Sequence, residues 1–242
     1  MRSKKKIKRF IKNYLPTISS YWNAIRAIKK QYIISEKKIG KLGNHSYISL
    51  PTLLAVSENI FIDDYVQIHT NSIVYNSLKE KLIIKKHTAI SVNFVAILAK
   101  HIPTACIPHS ILGPYHINDV HEDMIIDEEV WIGANVTLLP GASIGRGAVI
   151  GSCSLVNKKI PPYAVVVGIP AKIIASTFTI DQIIEHEKAI YPENERFSKE
   201  YLVQLFAEHF QEKKNIGISH ISEEDRILLQ TVKKELNIPN YE

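Results

Sequence analysis

The chain has 242 residues, two cysteines and a formal net charge of +6. This length allows one domain with appendages, and two cysteines exclude a disulfide framework. The positive charge is concentrated at the start, because residues 1–41 contain thirteen lysines or arginines and a single acid, Glu36. The rest of the chain is therefore net negative, which predicts a basic appendage on an acidic body and argues against a nucleic-acid partner.

Residues 1–41 are predicted to be a basic, partly helical N-terminal appendage. Apolar residues from Ile7 to Tyr14 recur with helical spacing, which predicts a short amphipathic helix that ends near Pro16. Residues 20–32 have the pattern of a second short helix. Two interpretations of the basic segment stay open. In the first, residues 1–15 contact an anionic membrane surface peripherally. In the second, they form a solvated tail or a helix packed on the domain.

No apolar stretch of the sequence approaches the length of a membrane span. The basic start is not followed by the apolar region of a signal peptide. Cys106 and Cys153 lack the spacing of a metal site. We therefore expect a cytoplasmic protein, with peripheral attachment to the inner face of the membrane as the location that a lipid-binding N-terminus would give.

Residues 42–175 are organised around a period of six. The period is clearest over residues 126–156, where an aliphatic residue opens each of five consecutive blocks. It begins earlier, slips across residues 76–80 and resumes at Ile84. The expected inward residues before the slip are Leu50, Val56, Ile62, Ile68 and Val74.

A period of six fits neither the 3.6 of a helix nor the 2 of a hairpin strand, so it predicts a repeat architecture. Short strands would form the three flat sides of a prism, turns would form its corners, and about three blocks would complete one coil. The opening aliphatic residue of each block would point inward and stack on its counterpart one coil away. The sequence thus predicts an all-β solenoid, and an ordinary sandwich with a chance period is the alternative.

Two segments interrupt or follow the repeat. Residues 99–125 form a long predicted loop with four histidines, and such insertions in a repeat array are usually functional. Residues 176–242 are predicted to be a helical C-terminal extension. Its helices would start at a capping box of Thr179 and Gln182, at Ser198 and at Ser222, and the second would run to about Lys213.

The repeat of Ile126 to Val156 resembles that of the hexapeptide-repeat acyltransferases. The segments Val130-Trp131-Ile132-Gly133-Ala134-Asn135 and Asn157-Lys158-Lys159-Ile160-Pro161-Pro162 are similar to those of the galactoside and maltose acetyltransferases. The resemblance implies a left-handed parallel β-helix with a protruding loop. It also implies a homotrimer that transfers an acetyl group from acetyl-CoA, and no metal is expected. The O-acetyltransferases of bacterial surface polysaccharides and the xenobiotic acetyltransferases look most similar.

His101 is the predicted general base. It lies at the start of the long loop, where the resemblance places the catalytic histidine, and imidazole is an efficient base at neutral pH. The competing residues are His109, His116 and His121. The spacing of His116 and His121 allows a zinc site like that of the γ-class carbonic anhydrases, although both fall in the loop instead of the prism sides.

The resemblance also implies the remaining site residues. Those expected to contact acetyl-CoA are Trp131, Ala134, Ser152, Asn157, Lys158, Pro170 and Lys172, with the two lysines meeting its phosphates. His69 and Asn71, on an early turn, are expected to contact a sugar or polysaccharide acceptor. Two other functions stay open: N-acetylation of an amino sugar or antibiotic, and a catalytically silent scaffold or metal-binding prism.

Overall fold

A computed structural model describes residues 18–32 and 39–235. The predicted amphipathic helix of residues 7–15 lies outside the described residues. Helix α1 spans Ile18–Tyr32, in agreement with the second helix expected from the sequence. Within the two described ranges, no helix combines the length and the apolar character that crossing a lipid bilayer requires.

Short strands form three parallel sheets that wind around one core. Sheet 1 contains β1 (Lys41–Leu42), β4 (Ile60–Ile62), β7 (Leu82–Ile84), β12 (Met124–Ile126), β15 (Ser143–Ile144) and β18 (Lys159–Ile160). Sheet 2 contains β2 (Tyr47–Ile48), β5 (Gln67–Ile68), β8 (Ala89–Ile90), β13 (Trp131–Ile132), β16 (Val149–Ile150) and β19 (Ala164–Val167), and is extended by β20 (Lys172–Ser176) and β21 (Lys214–Asn215). Sheet 3 contains β3 (Thr52–Leu54), β6 (Ser72–Tyr75), β9 (Val95–Ile97), β14 (Thr137–Leu138) and β17 (Leu155–Val156).

The chain visits the sheets in the order 1, 2, 3 and then starts the next coil, so the molecule is a parallel β-helix. Aliphatic residues stack in register inside it; in sheet 1 the column is Ile62, Ile84, Ile126, Ile144 and Ile160. All five are almost completely buried. Burying each such side chain contributes about 1.5–3 kcal/mol, so the columns hold the coils together. Residues 126–156 follow the predicted period throughout.

The predicted period is wrong in the first coil. Leu50 is 37% exposed, whereas Ile48 and Leu54 pack against the core. The inward positions are therefore Leu42, Ile48 and Leu54, two residues before those expected. A short 3₁₀ turn, Ser57–Asn59, lengthens the next connection and restores the predicted positions at Ile62. The physical reason is that Leu50 falls in a corner, where side chains face solvent.

The three corners of the prism are of three kinds. The aromatic edge joins sheet 1 to sheet 2 and is uniform: residues 43–46, 63–66, 85–88, 127–130, 145–148 and 161–163. The asparagine edge joins sheet 2 to sheet 3 and is also uniform: residues 49–51, 69–71, 91–94, 133–136 and 151–154. The insert edge joins sheet 3 to sheet 1 and is irregular: residues 55–59, 76–81, 98–123, 139–142 and 157–158.

Every turn of the aromatic edge contains one residue with a left-handed backbone. These residues are His45, Tyr65, His87, Glu129, Gly147 and Tyr163. The rings of His45, Tyr65 and His87 stack nearly parallel, at centroid distances of 4.9 and 5.1 Å. Gly147 is required because a Cβ there would lie 2.5 Å from the ring of Tyr163. The edge is therefore a packed structural ladder.

Helices close the C-terminal end of the prism. Helix α3 spans Ile180–Ile190 and begins with the capping box of Thr179 and Gln182. Helix α4 spans Lys199–His209, capped by Ser198, and ends four residues before the predicted Lys213. Their apolar residues join the core, and Tyr163 donates a hydrogen bond to Glu187 of α3 at 3.0 Å. Helix α5 spans Glu223–Glu235, and Ser222 accepts from the backbone of Asp225 at its start.

Candidate active site

A cavity of 850 Å³ lies on the insert edge. Three successive connections of this edge, residues 55–59, 76–81 and 98–123, contribute its wall. The third connection leaves the prism as a hairpin of β10 (Ala99–His101) and β11 (Asp119–His121). A short helix, α2 (His109–Leu112), lies between the two strands. Loops on one corner of a regular scaffold thus enclose a volume typical of ligand sites.

His101 and Asp119 are directly opposite each other in the hairpin. Nδ1 of His101 bonds to Oδ1 of Asp119, whose side chain is only 1% exposed. Hydrogen bonds from His101 and then His116 hold the pKa of Asp119 below its ordinary value, against the opposing effect of burial. The carboxyl group is therefore ionised at neutral pH and can only accept hydrogen bonds, so Nδ1 of His101 carries its proton and donates it.

This assignment leaves the lone pair of the His101 imidazole on Nε2. The His101 side chain is 41% exposed and lines the cavity. Gly113 lies beside Nε2, because a Cβ added to this glycine would be 3.5 Å from it. A larger side chain at this position would narrow the space in front of the nitrogen. The hairpin thus presents a fixed, accessible basic nitrogen, which is the geometry that proton abstraction needs.

His116 shares the same carboxylate. Its Nδ1 donates to Oδ2 of Asp119 at 2.9 Å, and its ring centroid is 6.2 Å from that of His101. Its side chain is 64% exposed and also lines the cavity. Asp119 therefore fixes two imidazoles at once, one on each oxygen.

A second histidine–carboxylate pair adjoins the cavity, which His121 helps to line. Nδ1 of His121 bonds to Oε1 of Glu80, and the Glu80 side chain is fully buried. Burial alone would raise the pKa of Glu80, but the hydrogen bonds from His121 and from Ser77 together hold it below its ordinary value. Nζ of Lys79 lies 3.4 Å from Nε2 of His121. The imidazole thus bridges a buried carboxylate and an exposed ammonium.

The remaining histidine of the loop has no such setting. His109 opens α2, is exposed and does not line the cavity. Across residues 18–32 and 39–235, no group of three or more His, Cys, Asp or Glu is placed to hold a metal ion. In the same ranges Cys106 and Cys153 are both free and exposed, the latter at a corner of the asparagine edge.

Most residues predicted to bind acetyl-CoA lie away from His101. Trp131 starts β13 on sheet 2, points outward and is 58% exposed. Ala134 and Ser152 lie on the asparagine edge, one coil apart. The two coils approach each other closely here because residue 133 is a glycine: a Cβ at Gly133 would lie 2.7 Å from the backbone nitrogen of Ser152. None of these residues lines the cavity of His101.

Asn157, Lys158, Pro170 and Lys172 cluster toward the C-terminal end of the prism. Asn157 and Lys158 form the last turn of the insert edge, and Pro170 and Lys172 follow β19. All four are exposed. Neither Lys158 nor Lys172 forms an ion pair with any described residue. Two unpaired cations near an open surface fit the phosphate groups of a nucleotide.

The two predicted acceptor residues, His69 and Asn71, lie on the asparagine edge and not at the cavity. His69 is exposed and meets the ring of Tyr47 edge-on at 5.9 Å. Asn71 has a left-handed backbone, as do Asn93 and Asn135 one and two coils further along. Asparagine tolerates this conformation better than most residues, so a structural role accounts for Asn71.

Sequence reasoning missed Asp119, Glu80, Lys79 and Gly113. Asp119 was detectable in principle, since it is one of three acids in the loop and lies three residues after His116. Its pairing with His101 was not, because the turn residues between the two strands, such as Gly113 and Pro114, do not fix which residues of the strands pair. Within one chain, therefore, Trp131, Ala134 and Ser152 lie on other parts of the prism than His101, and Asn157 and Lys158 lie on the same edge as His101 but in its last turn.

The repeat segment is similar in sequence to known bacterial transferases. Residues 123–158 match the family model of the bacterial transferase hexapeptide (six repeats). The chloramphenicol acetyltransferase of Klebsiella aerogenes is 52% identical over 59 residues, which cover 24% of this chain and 28% of that protein. The putative lipopolysaccharide biosynthesis O-acetyl transferase WbbJ of Escherichia coli K12 is 51% identical over 51 residues, which cover 21% and 26%. The matches thus span less than a third of these relatives.

Solved structures show the fold. The hexapeptide-repeat acetyltransferase VCA0836 of Vibrio cholerae, complexed with acetyl coenzyme A, superposes with a TM-score of 0.53 at 24% identity, over 72% of this chain and 85% of that one. A maltose O-acetyltransferase of Clostridium difficile 630 gives 0.52 at 22% identity, over 72% and 86%. The chain therefore carries bacterial transferase hexapeptide repeats and has the fold of the hexapeptide-repeat acetyltransferases, whose β-helix is left-handed.

Proposed function

We propose that the protein is an acetyl-CoA-dependent O-acetyltransferase that acetylates a sugar hydroxyl, in a bacterial surface polysaccharide or its precursor, with His101 as general base. The observation that carries this proposal is the pairing of His101 with the buried carboxylate of Asp119 at the wall of a cavity. WbbJ and the maltose enzyme, named as O-acetyltransferases, support the acceptor class.

The chain's own groups account for the proton transfer. Asp119 holds the proton of His101 on Nδ1, so Nε2 accepts the proton of the acceptor hydroxyl as its oxygen attacks the acyl carbon. The carbon–sulfur bond then breaks, and His101 returns the proton to the leaving sulfur. Asp119 stabilises the imidazolium that exists between these two transfers. Acetyl-CoA supplies the activated thioester.

The donor would be held by the exposed residues outside the cavity. The ammonium groups of Lys158 and Lys172 form no ion pair within residues 18–32 and 39–235 and are suited to phosphates, and Trp131 offers an exposed aromatic face. Ser152 packs closely on Gly133, which precedes Ala134 in the chain. Asn157 and Pro170 flank the two lysines along the chain.

A homotrimer would bring the two halves of the site together. The base lies on the insert edge and Ala134 and Ser152 lie on the asparagine edge, so the width of sheet 3 separates them. The outward side of sheet 3 is largely apolar, with Leu53, Ile73, Val95 and Leu155 in register through Thr137. A neighbouring prism packed there would bury this face and place its own edge beside His101.

Two other acceptors are tested beside the sugars: an antibiotic and an amino sugar. The similarity to the chloramphenicol acetyltransferase of Klebsiella aerogenes supports the hydroxyl group of an antibiotic as the acceptor. An amino sugar would give N-acetylation at the same base. Under this proposal the protein acts in the cytoplasm or peripherally at the membrane. The contact with the membrane would be made by residues 1–15, which lie outside the described part of the chain.

Release of free thiol from acetyl-CoA, measured with a panel of sugars, chloramphenicol and an amino sugar, tests the proposal. We expect activity with a hydroxyl acceptor and a loss of kcat of about 100-fold or more in His101→Ala, the size typical of a lost general base. His109→Ala is the matched control, because His109 is in the same loop but does not line the cavity. Full activity of His101→Ala would overturn the assignment of the base. Preferred turnover of the amine would replace O-acetylation by N-acetylation.

A further inference from the structure

The cavity of His101 is larger and more apolar than a single hydroxyl requires. Its wall includes Ala55 and Val56 from the first connection, Tyr75 from the end of β6, and Leu78 from the second connection. The side chains of Tyr75 and Leu78 are 65% and 71% exposed, so both present apolar surface to whatever enters. A sugar ring has a face of C–H groups that packs on such a surface while its hydroxyls point away.

The carboxylate and amide oxygens at the cavity already accept hydrogen bonds. Each oxygen of Asp119 accepts from one histidine. The oxygens of Glu80 accept from His121 and from the Ser77 backbone at 2.7 Å. Asn76 uses both amide atoms on the backbone of Val56, at 3.0 Å each. A neutral sugar, whose hydroxyls must donate as well as accept, would find no free carboxylate here.

The polar side chains that remain accessible include a cation, imidazoles and the phenol of Tyr75. Lys79 is exposed, and the one described hydrogen bond of its ammonium group is with His121, which engages one of its three N–H donors. The rings of His101 and His116 face the cavity as well. Because Asp119 and Glu80 are buried and paired, the one formally charged side chain that a ligand can touch among the described lining residues is the ammonium of Lys79.

We propose that the acceptor is an anionic sugar, whose carboxylate or phosphate group binds the ammonium of Lys79 while its ring packs on Tyr75 and a hydroxyl reaches Nε2 of His101. This inference rests on the proposed function and adds the substrate class. A carboxylate or phosphate accepts hydrogen bonds without needing to donate any, which matches the donors that the wall offers. The apolar floor and the single accessible cation then orient the ring with respect to the base.

Binding without turnover tests the substrate class separately from the reaction. Galacturonate, galactose 6-phosphate and galactose would be titrated into the full chain by calorimetry, in the absence of acetyl-CoA. We expect the wild type to bind at least one acid more than about tenfold more tightly than galactose, and added salt to reduce this preference. The comparison of the two acids distinguishes a carboxylate from a phosphate.

The matched pair of variants is Lys79→Gln and Lys81→Gln. Both lysines are on the same connection, but Lys81 lies over the ring of Phe61, at 5.8 Å, and does not line the cavity. Lys79→Gln should abolish the preference for acids and leave the affinity for galactose unchanged, whereas Lys81→Gln should keep the preference. Equal binding of acids and galactose by the wild type, no saturable binding of either acid, or an unchanged preference in Lys79→Gln would overturn the inference. Failure of the proposed function would show differently, as the absence of acetyl transfer despite selective binding of acids.

Discussion

The aromatic edge and the insert edge occupy two corners of the same prism and use similar residues in opposite ways. On the aromatic edge, Glu129 accepts from Tyr191 at 2.6 Å and pairs with His186, and helix α3 covers the group. On the insert edge, Asp119 and His101 form an equivalent pair, but the imidazole is 41% exposed and faces a cavity. The same chemistry therefore stabilises the fold where it is covered and becomes available for catalysis where it is open.

The two edges also differ in how they tolerate change. Turns of the aromatic edge repeat one backbone conformation and pack on one another, so a substitution there strains a close-packed ladder. Connections of the insert edge vary in length from two residues to the whole hairpin of residues 98–123. We expect changes on the aromatic edge to alter stability, and changes on the insert edge to alter activity.

The largest effect is expected for Asp119→Asn. An amide can donate to Nδ1 of His101 and so leave the imidazole proton on Nε2, where it blocks the base. We expect kcat to fall on the order of 100-fold while the KM for acetyl-CoA is unchanged. Steady-state kinetics with a hydroxyl acceptor would measure both. A loss confined to thermal stability, with kcat retained, would show that Asp119 only supports the hairpin.

Gly147→Ala tests the aromatic edge. The added methyl group would clash with the ring of Tyr163, and the backbone of Gly147 is left-handed, so we expect a loss of about 2–3 kcal/mol in the free energy of unfolding. Gly141→Ala is the control, because Gly141 is also left-handed but its nearest neighbour is the flexible carboxylate of Glu122 at 3.1 Å. The control should lose about 1 kcal/mol. Equal losses in urea denaturation would mean that the contact with Tyr163 contributes nothing.

Glu80, on the insert edge, is expected to make the stability of the fold depend on pH. Its pKa is lower in the folded state than its ordinary value of 4.5, so the unfolded chain binds more protons between these two values. The stabilisation is therefore fully present above the ordinary pKa and is lost as pH falls through the folded pKa. Glu80→Gln should lower Tm at neutral pH by about 2–4 °C, and this difference should shrink on acidification.

Glu58→Gln is the matched change, since Glu58 is exposed on the same edge. Thermal unfolding monitored by circular dichroism across this range would show no pH-dependent difference for it. A difference between wild type and Glu80→Gln that stays constant with pH would contradict the linkage.

The smallest effect on stability is expected in the first coil, where a corner residue, Leu50, is compared with a strand residue, Ile48. Leu50→Ala should change the free energy of unfolding by less than about 1 kcal/mol, because Leu50 faces solvent at the corner. Ile48→Ala, two residues earlier, should cost about 2 kcal/mol, because Ile48 packs on the core. The reverse order in denaturant unfolding would restore the register that the sequence alone predicted.

The sequence alone predicts the fold better than it predicts the site, as a few residues show. The columns from Ile126 to Val156 were predictable because a buried strand position demands an aliphatic side chain at a fixed spacing. Leu50 was misassigned because an apolar residue in a corner satisfies the same spacing. Asp119 was not predicted because its partner is set by the pairing of β10 with β11, which depends on tertiary contacts and leaves no local signal.

The hairpin of residues 98–123 also has a consequence for how the chain folds. Successive coils elsewhere pair across short loops, as Ile126 does with Ile144, whereas Ile84 can meet Ile126 only after the whole insertion has been bridged. Closing a loop of twice the length costs roughly 0.6 kcal/mol more in chain entropy. The stack is therefore least cooperative between the third and fourth coils. We therefore expect the pairing of these two coils, at the boundary from which His101 projects, to open before the pairing of the other coils.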